Sequence, residues 1–435
     1  MNGVKGSINF LLENSLFLII GAVGGLLWAN IDYASYEHLV HLDLFPNDFF
    51  YDHAYEKKHP GVHVVTVHYF VNDILMAFFF AIAGKEVWEA TFPGGPLSDP
   101  KKAATPLVAT LGGMAGPALL YVAGVSILGL NLVNADGSPL DTAAAAMTTG
   151  EVINMYNGWA IPCATDIAFS YMVARIVFGA GHPAIPFLLL LAIADDAIGL
   201  VILAVFYPTA EVQPVYMLLP VAAIALGFGM RKMKIHSFWM YLLGPGIISW
   251  VGFSQAGLHP ALGLLPIIVT FPHAHVDEGI FNWKELDKHD TLNEFEHWWK
   301  NPVELILGLF GLLNAGVVFS SVGDATWLVL FGLLVGKPLG IWVCAMFTAR
   351  VLKFGLPEGM NGGDVLVLGF AAGIGFTVAL FVATVAFPSG TGVQDAAKMG
   401  ALLSFTAAIL TFAAAKVVGT KKVHVAPDAS QDHEH

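Results

Sequence analysis

Five ionisable side chains lie inside long apolar runs of this chain, where charged groups are rare. Asp195 and Asp196 interrupt LLLLAIADDAIGLVIL, and single charged residues interrupt three other runs: Asp73, Asp166 and Lys337. Two adjacent carboxylates in a medium of low dielectric constant cannot both stay ionised without a counter-charge, so a proton, a Na⁺ ion or an ammonium group must neutralise them. Because a proton and a metal cation compete for the same oxygens, this arrangement predicts that the chain handles ions.

The two adjacent aspartates are expected to have different roles. Neighbouring residues on a helix point about 100° apart, so one of Asp195 and Asp196 can face a cavity while the other meets a neighbouring helix. The alternative for either residue is a carboxylate that is merely satisfied by a Ser, Thr or backbone partner.

Lys337 is the one basic residue that has no place near the end of an apolar run. It lies in the middle of LFGLLVGKPLGIWVCAMF, where a charged side chain costs about 2.5–3.5 kcal/mol unless it is paired or faces water. The following proline removes a helical hydrogen bond and leaves a carbonyl that the amine could approach. We therefore expect Lys337 to pair with one of the aspartates; the alternative is a side chain that extends to the membrane interface.

The composition indicates that membrane helices position these groups. The 435 residues are 56% hydrophobic and only 12% charged, against roughly 25% charged in soluble proteins, and the mean hydropathy is +0.68. The net charge of −13 argues against a nucleic-acid partner, since no basic patch could neutralise phosphates. Two cysteines in separate apolar runs, Cys163 and Cys344, predict buried small side chains rather than a disulfide framework or a metal site.

Apolar runs of about twenty residues predict about twelve transmembrane helices. The expected spans are 9–30, 64–84, 105–128, 158–178, 183–206, 214–230, 236–253, 256–271, 302–319, 325–347, 364–387 and 396–417. With a cytoplasmic N-terminus, sixteen of the twenty Lys and Arg residues fall in cytoplasmic segments. The positive-inside rule therefore predicts that both termini are cytoplasmic.

The resulting domain prediction has four parts. A first transmembrane helix (1–30) precedes an extracytoplasmic acidic loop (31–63), a transporter core (64–417) and a disordered polar cytoplasmic tail (418–435). The loop and its border contain several histidines without recognised metal-ligand spacing, so a solvated loop is favoured over a metal site: His38, His41, His53, His59, His63 and His68.

Two of the predicted helices look interrupted, one in each half of the chain. Pro162 lies inside a span, with Thr165 and Asp166 just after it. Near the other end, LVLGFAAGIGFTVALF contains three glycines followed by Thr377. Paired interruptions of this kind are typical of transporters built from inverted repeats, with the binding site near the middle of the membrane. The glycines alone are equally consistent with close helix packing.

Taken together, these segments resemble the bacterial NhaA-type sodium/proton antiporters. The motifs that carry the resemblance occur in family order between residues 71 and 387: VNDILMAFFFAIAGKEV, LGGMAGPALLY, GWAIPCATDIAFS, LAIADDAIG, AGLHPALG, NAGV, GKPLGI and GIGFTVALFVATVAF. The resemblance implies an all-α polytopic membrane protein of about twelve helices with inverted repeats, in which helices four and eleven are broken and cross near the midplane. It also implies an inner-membrane location and a homodimer. The family's dimer-forming hairpin lies in the region of the 31–63 loop, which is long, acidic and aromatic and matches no segment of the family pattern.

The implied activity is secondary active exchange of cytoplasmic Na⁺ or Li⁺ for external H⁺ by alternating access, which controls intracellular pH and sodium. No enzymatic activity and no cofactor are implied; Na⁺ or Li⁺ is the transported ion. Asp195 and Asp196 are the implied cation- and proton-binding pair, with Asp196 the more direct ligand. Thr165 and Asp166 lie at the broken fourth helix, where Asp166 offsets positive helix ends, and Lys337 offsets the opposing negative ends and pairs with Asp195.

A pH response is implied for Glu86, His259, Glu296 and His297. The chain departs from the family pattern beside them, because Glu86 is followed by Val-Trp-Glu-Ala without the family's Arg. Pro260 and the tryptophans after His297 are further departures.

Three other classes compete with this interpretation. A membrane aspartyl protease would use two aspartates that share a proton, but the Gly-x-Gly-Asp motif it requires fails at the first position of Asn361–Asp364. A channel would need a filter loop, which no segment resembles. A carrier that couples ions to an organic solute remains the third alternative.

Overall fold

Helices make up most of the structure. A computed structural model describes residues 16–51, 61–92, 95, 97–98, 100–139, 152–272 and 290–423. The α-helices in this part of the chain are Leu16–Ile31, Tyr33–Val40, Val67–Tyr69, Met76–Ala90, Pro100–Leu128, Ile167–Phe178, Ala184–Phe206, Leu218–Lys232, Phe238–Tyr241, Ile247–Gln255, Leu265–Ile268, Thr291–Asn314, Asp324–Phe331, Lys337–Arg350, Gly362–Ala372, Phe376–Ala386, Gly392–Leu403 and Thr406–Val418.

Tighter and wider helical turns connect several of these helices. The 3₁₀ segments are Met155–Cys163, Pro214–Met217, Pro260–Leu262 and Phe319–Ser321, and the π turns are Phe70–Leu75, Leu242–Gly246 and Gly332–Gly336. The described strands form two antiparallel pairs, Asp43–Pro46 with Val64–Thr66 and Leu132–Asn134 with Val152–Asn154.

Within the described residues, six helices are long and apolar enough to cross a membrane, and two bent helix pairs each qualify as one broken span. The six are Val67–Ala90, Ala103–Leu128, Ala184–Phe206, Pro214–Lys232, Asp324–Arg350 and Gly392–Val418. Leu16–Ile31 and Thr291–Asn314 lie at the predicted first and ninth spans. The predicted all-helical membrane fold with two broken helices is thus confirmed.

The prediction of one continuous helix over 256–271 is wrong. Its regular pieces are the 3₁₀ turn Pro260–Leu262 and the four-residue helix Leu265–Ile268. Gly257 has a φ of +75°, which only glycine adopts readily. His259 is extended, with ψ 119°, because a residue before proline avoids the helical region.

Two helix pairs approach so closely that only glycine fits between them. A Cβ atom added at Gly112 or Gly116 of the helix Pro100–Leu128 would meet backbone carbonyls of Gly340 or Gly336. The helices Leu16–Ile31 and Thr291–Asn314 show the same relation, with Gly21 opposite Gly308. In a membrane, where no hydrophobic effect drives helices together, such close van der Waals contact holds them in place.

The predicted loop and tail contain ordered structure in their described parts. Residues 31–63 include the helix Tyr33–Val40 and the strand Asp43–Pro46. Near the C-terminus, the Val423 N–H donates to the Phe178 carbonyl at 2.8 Å. The remaining residues of the predicted tail, 424–435, lie outside the described residues, as do 1–15 and 52–60.

Candidate functional site

Two broken helices cross at the centre of the site. The first broken helix consists of Met155–Cys163 and Ile167–Phe178, bent by 44°, and the second of Gly362–Ala372 and Phe376–Ala386, bent by 52°. The Asp166 N–H donates to the carbonyl of Ile374 at 2.7 Å. Backbone groups released by one break therefore bond to the other, which satisfies polar groups that lipid cannot.

Sequence explains where both breaks fall. Ala164 and Asp166 have extended backbones, with ψ 150° and 104°, just after a 3₁₀ segment that contains Pro162. In the second broken helix, a Cβ atom at Gly375 would meet the Ala164 carbonyl at 2.8 Å. Only glycine allows the two chains to approach this closely at the crossing.

Asp166 lies between two helix N-termini. Its Oδ1 accepts from the Phe169 N–H of its own helix at 3.3 Å. Its Oδ2 accepts from the Thr377 N–H at 3.2 Å and from the Thr377 hydroxyl. Since helix N-termini carry partial positive charge, the carboxylate faces two positive ends.

The opposing helix C-termini meet donors instead. Thr165 and Ser170 hydroxyls donate to the carbonyls of Ala372 and Ala371, at 3.2 and 2.8 Å. Lys337 Nζ donates to the Cys163 carbonyl, the last of the Met155–Cys163 segment. The ammonium therefore lies beside a partial negative charge.

Lys337 also pairs with Asp195, one of the aspartates that its position in the sequence offers as partners and the one that the resemblance implies. Its Nζ lies 2.9 Å from Asp195 Oδ2, and Lys337 is fully buried. The residue follows the π turn Gly332–Gly336, in which the Lys337 N–H reaches back to Gly332. Pro338 has no N–H to donate in the α-helical hydrogen-bond pattern. The π turn therefore lies next to a position where that pattern is already interrupted, directly before the buried lysine.

The two aspartates of the helix Ala184–Phe206 point into different surroundings. Asp195 is 3% exposed and faces Lys337, whereas Asp196 is only partly buried. Asp196 lines a cavity of about 250 Å³ together with Thr165, Asp166 and Thr377. Both aspartates border a smaller cavity of about 30 Å³, which is large enough to hold a water molecule.

The other charged residues that line the larger cavity come from two other helices. Glu86 and Glu296 line it with Lys300 and Glu304. Lys85, which is buried, pairs with Glu89 at 2.6 Å and also with Glu296. Asp196 thus shares this cavity with Glu86, Glu296, Lys300 and Glu304.

The sequence model of the Na⁺/H⁺ antiporter 1 family matches residues 10–415. The chain belongs to this family. The chain is 51% identical to "Na(+)/H(+) antiporter NhaA" of Jannaschia sp. (strain CCS1) over 441 residues, covering 96% of this chain and 99% of that protein. Proteins with the same name in Desulfitobacterium hafniense (strain Y51) and Geobacter sulfurreducens are 44% and 43% identical, each over 97% of this chain and 99% and 100% of their own lengths.

Within this family member, the four residues predicted to respond to pH do not form one group. Glu86 and Glu296 share the larger cavity, but His297, next to Glu296 on the helix, is exposed. His259 is buried elsewhere, with Nδ1 3.5 Å from Asp73 Oδ1 and its ring centroid 4.8 Å from that of Phe381. Asp73 was one of the possible partners of Lys337, and its carboxylate lies beside this histidine instead.

Three residues of the site were not predicted from the sequence. Lys85 connects Glu89 and Glu296, and the charges of Lys300 and Glu304 border the cavity. Lys85 and Glu89 are four residues apart on a helix, a spacing that favours an ion pair. That spacing was the available signal; the contact with Glu296 joins residues 211 positions apart and has no local signature.

Proposed function

We propose that the chain is a secondary active antiporter that exchanges cytoplasmic Na⁺ or Li⁺ for external H⁺. The observation that carries the proposal is the buried Asp195–Lys337 ion pair beside Asp196, which lines the larger cavity. The printed names of the relatives, each an Na(+)/H(+) antiporter, support it. Proton and cation compete for the carboxylate oxygens of the aspartate pair.

The competition follows from charge. With both aspartates ionised and Lys337 protonated, the three groups carry one net negative charge in surroundings that disfavour it. A Na⁺ ion at the carboxylates neutralises that charge. A proton on Asp196 does the same, and it removes an oxygen that the cation needs. The protein therefore holds the cation or the proton, and exchange follows if either loaded form can reorient.

Asp195 and Lys337 have the supporting part in this scheme. A proton on Asp195 weakens its attraction for the ammonium and breaks the ion pair. When Na⁺ arrives and Asp195 turns toward the cation, Lys337 loses its counter-charge and can release a proton of its own. Thr165 and Asp166 keep the crossing intact, because their side chains bond to ends of the second broken helix.

The crossing itself supplies the moving element. Each half of a broken helix ends at the site, so small rotations of the halves can open one side while closing the other. The larger cavity connects Asp196 with the Glu86 and Glu296 cluster. On the predicted orientation with both termini cytoplasmic, we assign this cavity as the cytoplasmic entrance.

We assign the pH response to the same entrance. Glu86 and Glu296 carry like charges near one another, and Lys85 and Lys300 compensate them. Protonation of these carboxylates changes the field along the path to Asp196. His259 lies beside Asp73, outside the lining of this cavity, and His297 is exposed next to Glu296 on the same helix.

The remaining assignments concern the setting of the transporter. We propose an inner-membrane location with a first helix at 1–30, an external segment at 31–63, a core at 64–417 and a cytoplasmic tail at 418–435. A homodimer is proposed through the external segment, since the strand Asp43–Pro46 is exposed throughout and presents Leu44 and Phe45 to solvent. The antiporter then regulates intracellular pH and sodium and needs no cofactor.

The test is transport in vesicles that contain the purified chain and a pH-sensitive dye inside. A pulse of Na⁺ outside should drive a change in internal pH. Asp195→Asn and Asp196→Asn should each abolish it, because an amide neither holds an exchangeable proton nor neutralises a cation. Asp324→Asn is the matched control, since Asp324 is exposed at the start of another helix. Robust Na⁺-driven pH change in Asp196→Asn would overturn the assignment of the pair.

A further inference from the structure

Cys163 places a thiol in the same small cavity as the two aspartates. The residue is 3% exposed and borders the cavity of about 30 Å³ together with Asp195 and Asp196. Its Sγ–H donates hydrogen bonds to the carbonyl oxygens of Met114 at 3.4 Å and Trp159 at 3.5 Å. The proposed exchange involves the backbone carbonyl of Cys163, which Lys337 contacts, and assigns no role to the Cys163 sulfur.

A second observation points to a ligand in this cavity. Asp195 Oδ2 accepts from Lys337, but Asp195 Oδ1 is buried and has no hydrogen-bond partner among the described residues. A buried carboxylate oxygen without a partner costs free energy. The cavity therefore borders on a thiol and on the side chain whose buried carboxylate oxygen lacks a hydrogen-bond partner, two donors of different chemistry.

The kind of cation follows from the softness of the donors. Na⁺ and Li⁺ are hard ions that favour oxygen, whereas thiolate sulfur selects soft ions. Among the described residues no group of three or more His, Cys, Asp or Glu side chains is arranged to hold a metal ion. A soft monovalent ion that needs few ligands fits such a site, and Ag⁺ is the probe of that class.

We propose that Cys163 and Asp195 form a binding site for a soft monovalent cation, and that its occupation blocks exchange. In the binding step the S–H bond of Cys163 breaks, an S–Ag bond forms, and the proton leaves to solvent. No electrons are transferred. Asp195 Oδ1 is the second donor, so the bound ion lies where the transported cation must pass. The block rests on the proposed exchange function; the binding step does not.

The chain contains its own control, because it has two cysteines. Cys344 lies on the helix Lys337–Arg350, partly buried against the backbone side of Gly112. It does not border the cavity of the aspartates. Replacement of either cysteine by alanine removes one thiol, and only one of the two replacements touches the proposed site.

Binding is measured first, without transport. Purified protein in chloride-free detergent buffer is titrated with silver nitrate, and bound Ag⁺ is counted by native mass spectrometry. Histidine and methionine side chains will take up silver as well, so the readout is a difference between variants at limiting Ag⁺. Cys163→Ala should lack the Ag⁺ ion that the parent binds with the highest affinity. Cys344→Ala should still bind that ion. Equal titrations of Cys163→Ala and the parent would mean adventitious binding only and would overturn the site.

Transport is measured second, in vesicles, with each variant compared with its own untreated rate. The Ag⁺ concentration for half-inhibition should rise at least tenfold in Cys163→Ala and stay within twofold in Cys344→Ala. Excess Na⁺ should slow the inhibition of the parent, since both ions need the same cavity. Cys163→Ser is the second variant should alanine misfold, because it keeps a donor of similar size and replaces sulfur by a hard oxygen.

The outcomes separate this inference from the proposed function. Untreated protein that shows no Na⁺-driven pH change would refute exchange while leaving the mass-spectrometric result intact. Exchange that is equally sensitive to Ag⁺ in Cys163→Ala and in the parent would refute the block while leaving exchange intact.

Discussion

Replacement of Lys337 by methionine tests the ion pair at the core of the site. Methionine preserves much of the buried stem volume and removes the charge, so packing changes little. Asp195 then keeps two oxygens in a fully buried position, with Oδ1 already without a partner and Oδ2 losing its own. Removing one member of a buried ion pair costs about 3–5 kcal/mol. The variant should therefore unfold at a markedly lower temperature in detergent.

The double variant Lys337→Met/Asp195→Asn shows where that energy comes from. It removes both charges, so the electrostatic part of the loss should be recovered. The Cys163 carbonyl, which also accepts from Lys337, still lacks a donor, and a buried acceptor without a partner costs about 1–3 kcal/mol. We expect the double variant to melt between the parent and Lys337→Met, with a coupling energy that only contacting residues produce.

Lys337→Arg completes the series. Its charge persists, so stability should fall less than in Lys337→Met. Guanidinium does not give up its proton in proteins, so exchange, where it survives, should shift its dependence on pH. Melting curves and transport rates measured from acid to alkaline pH give both answers. Should Lys337→Met melt together with the parent and transport normally, the buried pair has no energetic role and the reasoning is wrong.

Three further variants test other parts of the structure. Gly116→Ala should destabilise the protein by about 1–3 kcal/mol, because its Cβ would meet a backbone carbonyl of the facing segment. Gly229→Ala is the control and should melt like the parent, since a Cβ atom there has open space around it. Equal melting temperatures of the two variants would contradict the close contact at Gly116. Thr377→Val should impair exchange more than Thr377→Ser, since only serine retains the hydroxyl that donates to Asp166. Asp166→Asn should cause a partial loss of exchange. If the valine variant exchanged ions at the rate of the parent, the Thr377 hydroxyl would have no role in exchange. Burial lowers the pKa of His182, which lies at the turn between two helices. The neutral histidine therefore favours the folded state fully above the unfolded pKa of about 6.5, and folding becomes less favourable as the pH falls below that value. His182→Asn should lose less in melting temperature between pH 7.5 and pH 5 than the parent does, and equal losses would show that His182 does not cause the pH dependence.

Much of the site could be predicted because charge inside an apolar run is costly and therefore informative. The cost of burying Lys337 required a partner, and the structure supplies Asp195 at 2.9 Å. The proline and glycines that interrupt two spans likewise predict the two breaks, and the family resemblance implies that the broken helices cross. Angular separation on a helix predicts that Asp195 and Asp196 face different surroundings, and the structure has them so.

Other features depend on contacts between distant parts of the chain. The bond from Thr377 to Asp166 spans 211 residues, and no local pattern indicates which hydroxyl reaches which carboxylate. Glu296 and His297 are neighbours in sequence, yet only Glu296 turns toward the cavity, because helix rotation separates adjacent side chains. The interruption at 256–271 had visible signals in Gly257 and Pro260, but the apolar composition outweighed them.

The π turn at Gly332–Gly336 also determines the phase of its helix. A π turn contains one residue more than the α-helical turn it replaces, and one residue corresponds to about 100° of rotation. Everything after the turn, Lys337 first, is therefore rotated by that angle relative to Asp324–Phe331. Deleting a single residue here would shorten the helix by only about 1.5 Å but would swing the ammonium toward a different neighbour. Chain length at this point is as much a part of the site as the identity of the lysine.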